Sequence, residues 1–254
     1  MIKTIYFFWY QGIENAPKIV KQCLKSWKYY NPTWNIVLLE QSNYKSYLDT
    51  YDIKLLDKML QDKIVIYRIS DIMRLMLLYK HGGLWVDSTC FCNCSLDNWL
   101  SSCIKDNGIF LFENLTPIHK KISNWFIYSE KEHYLINKWI IAALNYYDSL
   151  PQQYKDIYFI FHDIFEHLCE EDAVFLDYFD RIHKTGQNDH MMYFNFDKRL
   201  NLYVKSEGFL SPLTDEIREI IINKEKYLFK LSHKCTWPDN IDGTIVSFLF
   251  STIG

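Results

Sequence analysis

In the stretch HGGLWVDSTCFCNC, His81 to Cys94, two glycines run into the apolar segment Leu84 to Val86. That segment ends on a lone carboxylate, Asp87, with Thr89 two residues on. An unpaired carboxylate at a buried strand end costs several kcal/mol. A divalent cation would offset that cost, because Mg²⁺ or Mn²⁺ is held by one or two carboxylates while ligand phosphates and water complete its shell. The plainer reading of an isolated V-D-S-T is a solvated aspartate at a strand end. Cys90, Cys92 and Cys94 alternate and would share one face of a strand. Their gaps are shorter than those typical of zinc sites, which favours small buried side chains over ligands.

Upstream, Ser70, Asp71 and Arg74 lie on a helical stripe with Ile69, Ile72, Met73, Met76 and Leu77, and Gly82-Gly83 stop it. Asp71 and Arg74 stand three apart, so alone they read equally as a surface i,i+3 ion pair of small value. Joined to the first stretch they give an ordered string: Ser70, Asp71, Arg74, Leu78, Gly82, Gly83, Trp85 and Asp87 at the spacing S-D-x-x-R-x-x-x-L-x-x-x-G-G-x-W-x-D.

This string resembles the DXD-containing sugar-binding region of glycosyltransferase family 32, specifically the capsular polysaccharide synthesis proteins. The likeness extends to the opening YFFWYQGIENAPKIVKQCLKSWKYYNPTWNIVLLE, to Asn124, to His162 and to HKCTW near the end, and covers about residues 2 to 240. It implies one GT-A-like, Rossmann-type α/β domain over 1–254, with a mixed, mostly parallel central sheet and added helices. Its donor-binding core would span about 1–115, a helical acceptor-side region about 116–225, and a segment closing over the donor about 226–254.

The activity implied is transfer of a sugar from a nucleotide-diphosphate donor, a UDP-sugar, to a growing capsular or cell-surface polysaccharide, with retention and with Mn²⁺ or Mg²⁺ assisting. Asp87 would hold the metal that neutralises the departing diphosphate. Arg74 and Asp71 would face the donor sugar, and Trp9, at the end of the first strand, would stack on the base. Ser70, Gly83, Trp85 and Thr89 complete that side. From the C-terminal loop, His233 would join the metal while Lys234, Thr236 and Trp237 meet the donor. On the acceptor side, His162 and Asp163 would line the cleft for an oligosaccharide or lipid-linked saccharide, with polar residues of Gly186 to Met192 on a nearby loop. The departure from the D-x-D pattern is Thr89, where a second acid would stand. It leaves a weaker cation site and admits a second reading, a catalytically silent carbohydrate-binding relative.

The elements that must position these residues follow from periodicity. Lys3 to Tyr10 is a β-branched and aromatic run that fits a buried strand. Pro17 opens a helix with Ile19, Val20, Cys23, Leu24 and Trp27 at helical spacing, and Trp34 to Leu39 is a second strand after an Asn-Pro turn. Strand, helix, strand is the opening of a doubly wound α/β unit, in which ligands gather at the carboxyl ends of strands. A strand is expected at Gly108 to Asn114, helices over NWFIYSEKEHYLINKWIIAALNYY and YFIFHDIFEHLCEE, and a short strand within YLFKLSHKCTWPDN.

Composition narrows the partners. With 28 Lys and Arg against 31 Asp and Glu there is no polyelectrolyte field for nucleic acid. The 19 Tyr, 17 Phe and 8 Trp suit sugars and bases, although an aromatic-rich core accounts for any single ring. Seven cysteines, an odd count, with no secretory leader ahead of the first strand, point to a reducing cytoplasm. No apolar run approaches the ~20 residues that span a bilayer, so membrane contact would be peripheral, on the inner face.

Overall fold

The computed structural model describes residues 1–104, 107–113, 121–149, 159–182 and 206–254, together with the short strands at 185–186, 191–192, 196–197 and 202–203. β1 (Thr4–Phe8) grows from an unbroken β-branched and aromatic run whose alternate side chains serve two cores: Ile5 and Phe7 on one face, Tyr6 on the other. α1 (Lys18–Tyr30) follows Pro17 and buries Ile19, Val20, Cys23, Leu24 and Trp27. β2 (Asn35–Leu39) returns parallel to β1, Thr4 opposite Asn35 and Phe8 opposite Leu39. α2 (Thr50–Gln61), which the sequence reading does not anticipate, starts where the Asp49 carboxylate accepts from the Asp52 amide at 2.9 Å.

α3 (Ile66–His81) is buried continuously from Arg68 to Leu78, so the three charged residues of that stretch, Arg68, Asp71 and Arg74, must offset one another's charge. Gly82 ends it at φ 66°, a left-handed turn where a Cβ would come within 2.5 Å of Ile2 Cδ1. β3 (Gly83–Val86) then pairs parallel to the other edge of β1, with Trp85 opposite Tyr6. The chain therefore leaves β1 toward β2 and comes back to β3 on the opposite side. The carboxyl ends of β1 and β3 form a topological switch point.

β5 (Ile109–Glu113) and β6 (Ile122–Ser129) extend the sheet, and β7 (Thr185–Gly186) completes the order β2-β1-β3-β6-β5-β7. β6 runs antiparallel to β3 and β5, while β5 and β7 are parallel, so the sheet is mixed and mostly parallel, as expected. β6 corrects the helix expected over NWFIYS. Trp125 to Ser129 are all buried between two strands, where a continuous aromatic and β-branched run suits a sheet interior. The helix begins later, as α5 (Tyr134–Ser149). α6 (Ile160–Glu171) matches the expectation over YFIFHDIFEHLCEE, and α7 (Ala173–Asp180) follows it.

A second, smaller sheet sets β4 (Cys90–Cys92) against β11 (Leu228–Lys230) and β8 (Met191–Met192), in the order β4-β11-β8. β9 (Phe196–Asp197) and β10 (Leu202–Tyr203) pair separately. α1, β4, β11, α4 (Leu100–Ile104) and the last helix, α9 (Ile245–Ser251), pack on one face of the central sheet, with α8 (Asp215–Ile222) beside them. α2, α3, α5, α6 and α7 pack on the other. Cys90 and Cys92 are buried in β4, and burial pushes the Cys92 thiol up to about 12. All seven cysteines are unbridged. Among the described residues no helix is long and apolar enough to cross a membrane.

Candidate active site

Three places in the chain supply the charged side chains at the switch point. α3 supplies the base of the site. Arg74 donates through Nη2 to Asp71 Oδ1 at 2.9 Å, through Nε to the Ser70 carbonyl at 3.3 Å and through Nη1 to the Asn124 carbonyl. Its guanidinium lies over the Trp85 ring, 5.0 Å from the centroid. Asp71 also accepts from Asn124 Nδ2 at 3.2 Å and faces Arg68 Nη1 at 3.5 Å. Burial pushes the Asp71 carboxyl up to about 6, against the pull of the two arginines.

The end of β3 supplies the carboxylate that points outward. The Asp87 amide donates to the Trp125 carbonyl at 2.8 Å, which fixes the strand end against β6. Its side chain keeps 31% of its surface exposed, against 9% for Asp71 and 5% for Arg74. Asp87 Oδ1 accepts from Trp85 Nε1 at 3.3 Å and lies 3.6 Å from Arg74 Nη1. Burial opposes its ionisation, but Lys230 and Arg74 outweigh that, and the carboxyl is held below its ordinary range.

The third contribution is one that sequence reasoning misses. Lys230, the last residue of β11, lies opposite Cys90 of β4, and the next amide, Leu231, donates to the Thr89 carbonyl at 2.9 Å. This pairing carries the Lys230 ammonium to 2.7 Å from Asp87 Oδ2 and 3.2 Å from Thr89 Oγ1. The only sequence signal was its place in the expected strand YLFKL. Which β-strand that segment joins is a long-range fact. Past β11 the chain returns His233 to the end of β1, where its ring meets Trp9 edge-on at 5.2 Å between centroids. Partial burial, then Lys234 and Lys230, lower the pKa of His233. The Trp9 indole N–H is buried and has no hydrogen-bond partner. Beside it a cleft opens between Tyr10, Gly12, Glu40 and Ser42, at the ends of β1 and β2.

The structure thus gathers Trp9, Arg74, Asp71, Asp87, Thr89 and His233, and adds Lys230 and Asn124. Several residues read as donor-facing are engaged by other contacts in this structure. Ser70 donates its hydroxyl to the Tyr67 carbonyl at 2.7 Å within its own helix. Trp85 is 2% exposed and lies beneath Arg74. Gly83 sits at the far end of β3 from Asp87, where a Cβ would stand 2.7 Å from the Thr4 carbonyl. Asp71 has partners on both oxygens, Arg74 and Asn124 on Oδ1 and Arg68 on Oδ2, and holds Arg74 in place. Lys234 and Thr236 are exposed on the loop, and Trp237 is half-buried, its indole donating to the Ser232 carbonyl at 2.8 Å. His162 and Asp163 lie near the start of α6, the His162 ring edge-on to Phe159 at 5.8 Å. Most of the polar stretch Gly186 to Met192 lies outside the described residues.

A divalent cation at Asp87 is a poor fit to these side chains. Asp87 is the lone carboxylate at that point, its Oδ2 is bonded to Lys230, and the space between Asp87 and Thr89 holds an ammonium. Among the described residues no group of three His, Cys, Asp or Glu side chains is arranged to hold a metal.

The chain aligns with the PaToxG glycosyltransferase at a TM-score of 0.52 and 17% identity, covering 89% of this chain and 86% of that one, and so shares its fold. A glycosyltransferase involved in the glycosylation of the major capsid of PBCV-1 aligns at 13% identity and a TM-score of 0.42, over 100% of this chain and 98% of that one. An O-glycosyltransferase, braB, of Annulohypoxylon truncatum is 27% identical over 97 residues, 35% of this chain. The match spans only 23% of that relative's own length. The family model for capsular polysaccharide synthesis proteins matches residues 1–249, and the chain belongs to that family.

Proposed function

We propose that the chain is a glycosyltransferase that moves a sugar from a nucleotide-diphosphate donor, a UDP-sugar, to a hydroxyl of a capsular or cell-surface glycan. The observation that carries this reading is the convergence of Trp9, Asp87, Arg74 and Lys230 at the switch point of a doubly wound sheet in a member of this family. Three cations, Arg68, Arg74 and Lys230, face two carboxylates, Asp71 and Asp87, and leave a net positive charge for an anion to meet. The finer likeness to glycosyltransferase family 32 and its DXD-type site belongs to the same proposal.

In this reading the base lies against Trp9, and the neighbouring cleft takes the ribose, whose hydroxyls are able to donate to the Glu40 carboxylate. The diphosphate sits over Lys230. The bond between the sugar C1 and the diphosphate oxygen breaks, its electron pair stays on that oxygen, and the acceptor oxygen bonds to C1 as its proton passes to the leaving diphosphate. With retention on the front face, no enzyme nucleophile is needed. The acceptor, an oligosaccharide or lipid-linked saccharide, approaches from the side of His162 and Asp163 at the cytoplasmic face of a membrane.

The test is a panel of nucleotide sugars read by nucleoside diphosphate release. At least one donor turns over, and Asp87→Asn lowers that turnover by about 10²-fold or more with the circular dichroism spectrum unchanged. Turnover unaffected by Asp87→Asn would remove the site from this function. Glycan binding without turnover of any donor would establish the silent carbohydrate-binding relative, the reading that Thr89 admits.

A further inference from the structure

We propose that the Lys230 ammonium does, for the donor diphosphate, the work expected of a divalent cation, so that this chain binds its donor without a metal. The proposal rests on the donor reading above and specifies which group meets the diphosphate. An aspartate and a threonine two residues apart leave a cation position with one carboxylate and one hydroxyl. Lys230 Nζ fills it, at 2.7 Å from Asp87 Oδ2 and 3.2 Å from Thr89 Oγ1. An ammonium has three N–H donors. Two are taken, and the third is left for a phosphate oxygen on the side where Asp87 meets solvent.

The lysine is built into place. Its strand is paired through Leu228, Phe229 and Lys230 with Cys92, Phe91 and Cys90. Its side chain is 15% exposed, and the ammonium stands 5.7 Å from the centre of the Trp125 ring. A long flexible stem held this way gives up little further entropy on meeting an anion. Asp87 is the counterion that aims it, with Arg74 behind at 3.6 Å. A divalent ion in the same position would have to displace the ammonium from both partners and be held by a single carboxylate. The substitution of Thr89 for a second acid is then consistent with its neighbour: one positive charge balanced by one carboxylate, with the hydroxyl as a neutral acceptor.

The experiment titrates the full chain with UDP and, separately, GDP, by calorimetry in EDTA and again in Mn²⁺, alongside the Mn²⁺ electron paramagnetic resonance signal. Wild type binds one nucleotide in EDTA within about twofold of its affinity in Mn²⁺, and the Mn²⁺ signal recorded with the protein and no nucleotide stays that of the free ion. Lys230→Met weakens binding by about 10- to 100-fold, the worth of a hydrogen bond to a charged group. Lys230→Arg, which keeps the charge, recovers most of that loss and guards against a folding effect, as does an unchanged melting temperature. Binding that requires Mn²⁺, or a Lys230→Met variant that binds as wild type does in EDTA, overturns the proposal while the donor reading stands. Failure of both nucleotides to bind under either condition overturns both.

Discussion

The site has two walls made in different ways. The wall from α3 and β3 is buried and largely paired: Arg74 bonds Asp71 over the Trp85 ring, Asn124 bonds Asp71, and Arg68 faces Asp71 through Nη1 while its Nε and Nη2 have no hydrogen-bond partner. The wall from β11 and the loop behind it is partly open. Lys230, His233 and the outer side of Asp87 have a protein partner on one side and solvent on the other. Changes to the first wall should appear as lost stability and lost geometry. Changes to the second should appear as lost affinity.

Arg74→Met is the largest expected break. It leaves Asp71 buried with Arg68 at 3.5 Å as its remaining ion-pair partner and removes the cation behind Asp87. Stranding one member of a buried ion pair costs about 3–5 kcal/mol; with Arg68 and Asn124 still on Asp71, chemical denaturation should read a loss of about 3 kcal/mol together with lost sugar transfer. Wild-type stability in this variant would mean that the inner wall is not the frame of the site.

Trp9→Leu should act on the other wall and on a different part of the ligand. Loss of a base-stacking ring costs about 1–3 kcal/mol, roughly 10- to 100-fold in UDP affinity. Inorganic pyrophosphate lacks the base, so its affinity should not change. If both ligands weaken equally, Trp9 supports the diphosphate wall through His233 and does not read the base.

The same division explains what could be read from the sequence. The inner wall lies within Ser70 to Asp87, where an α-helical period, a glycine pair and a short apolar strand fix position by local rules. Those rules also gave β1, α1 and β2, while the mixed, mostly parallel sheet came from the family resemblance. They did not reveal that Asp71, Ser70 and Trp85 point into the core, because α3 is buried on all sides and its polar residues look like a solvated stripe until the neighbouring β6 is in place. β6 itself was read as helix, since a run such as NWFIYS carries no period that separates a buried strand from a buried helix. Lys230 was passed over in favour of His233 and Lys234. The pairing of β11 with β4 joins residues more than a hundred positions apart, and strand propensity does not name its partner.

The smallest effect uses the one titration that separates the walls. Burial raises Asp71 from 3.8 to about 6, so near that pH half of the inner carboxylate is protonated and loosens its hold on Arg74. A raised acid pKa contributes stability below its unfolded value and loses it as the pH rises through the folded value. Acidification through 6 therefore weakens the site without destabilising the fold through this group. His133 works in the opposite direction: burial lowers its pKa below 6.5, so its contribution to stability is present above 6.5 and lost as the pH falls. Activity and unfolding must therefore be followed separately, at temperatures where the chain is fully folded. Partial burial lowers the pKa of His233, and its protonation on acidification adds positive charge beside Lys230, which favours the diphosphate. In a His233→Gln background, kcat/KM should fall by about half near pH 6 and approach a tenfold loss per pH unit below that, the slope of a single proton. A flat profile down to pH 5 would mean that Arg74 is held without the Asp71 charge, leaving Asn124 and the ring of Trp85 as what fixes the inner wall.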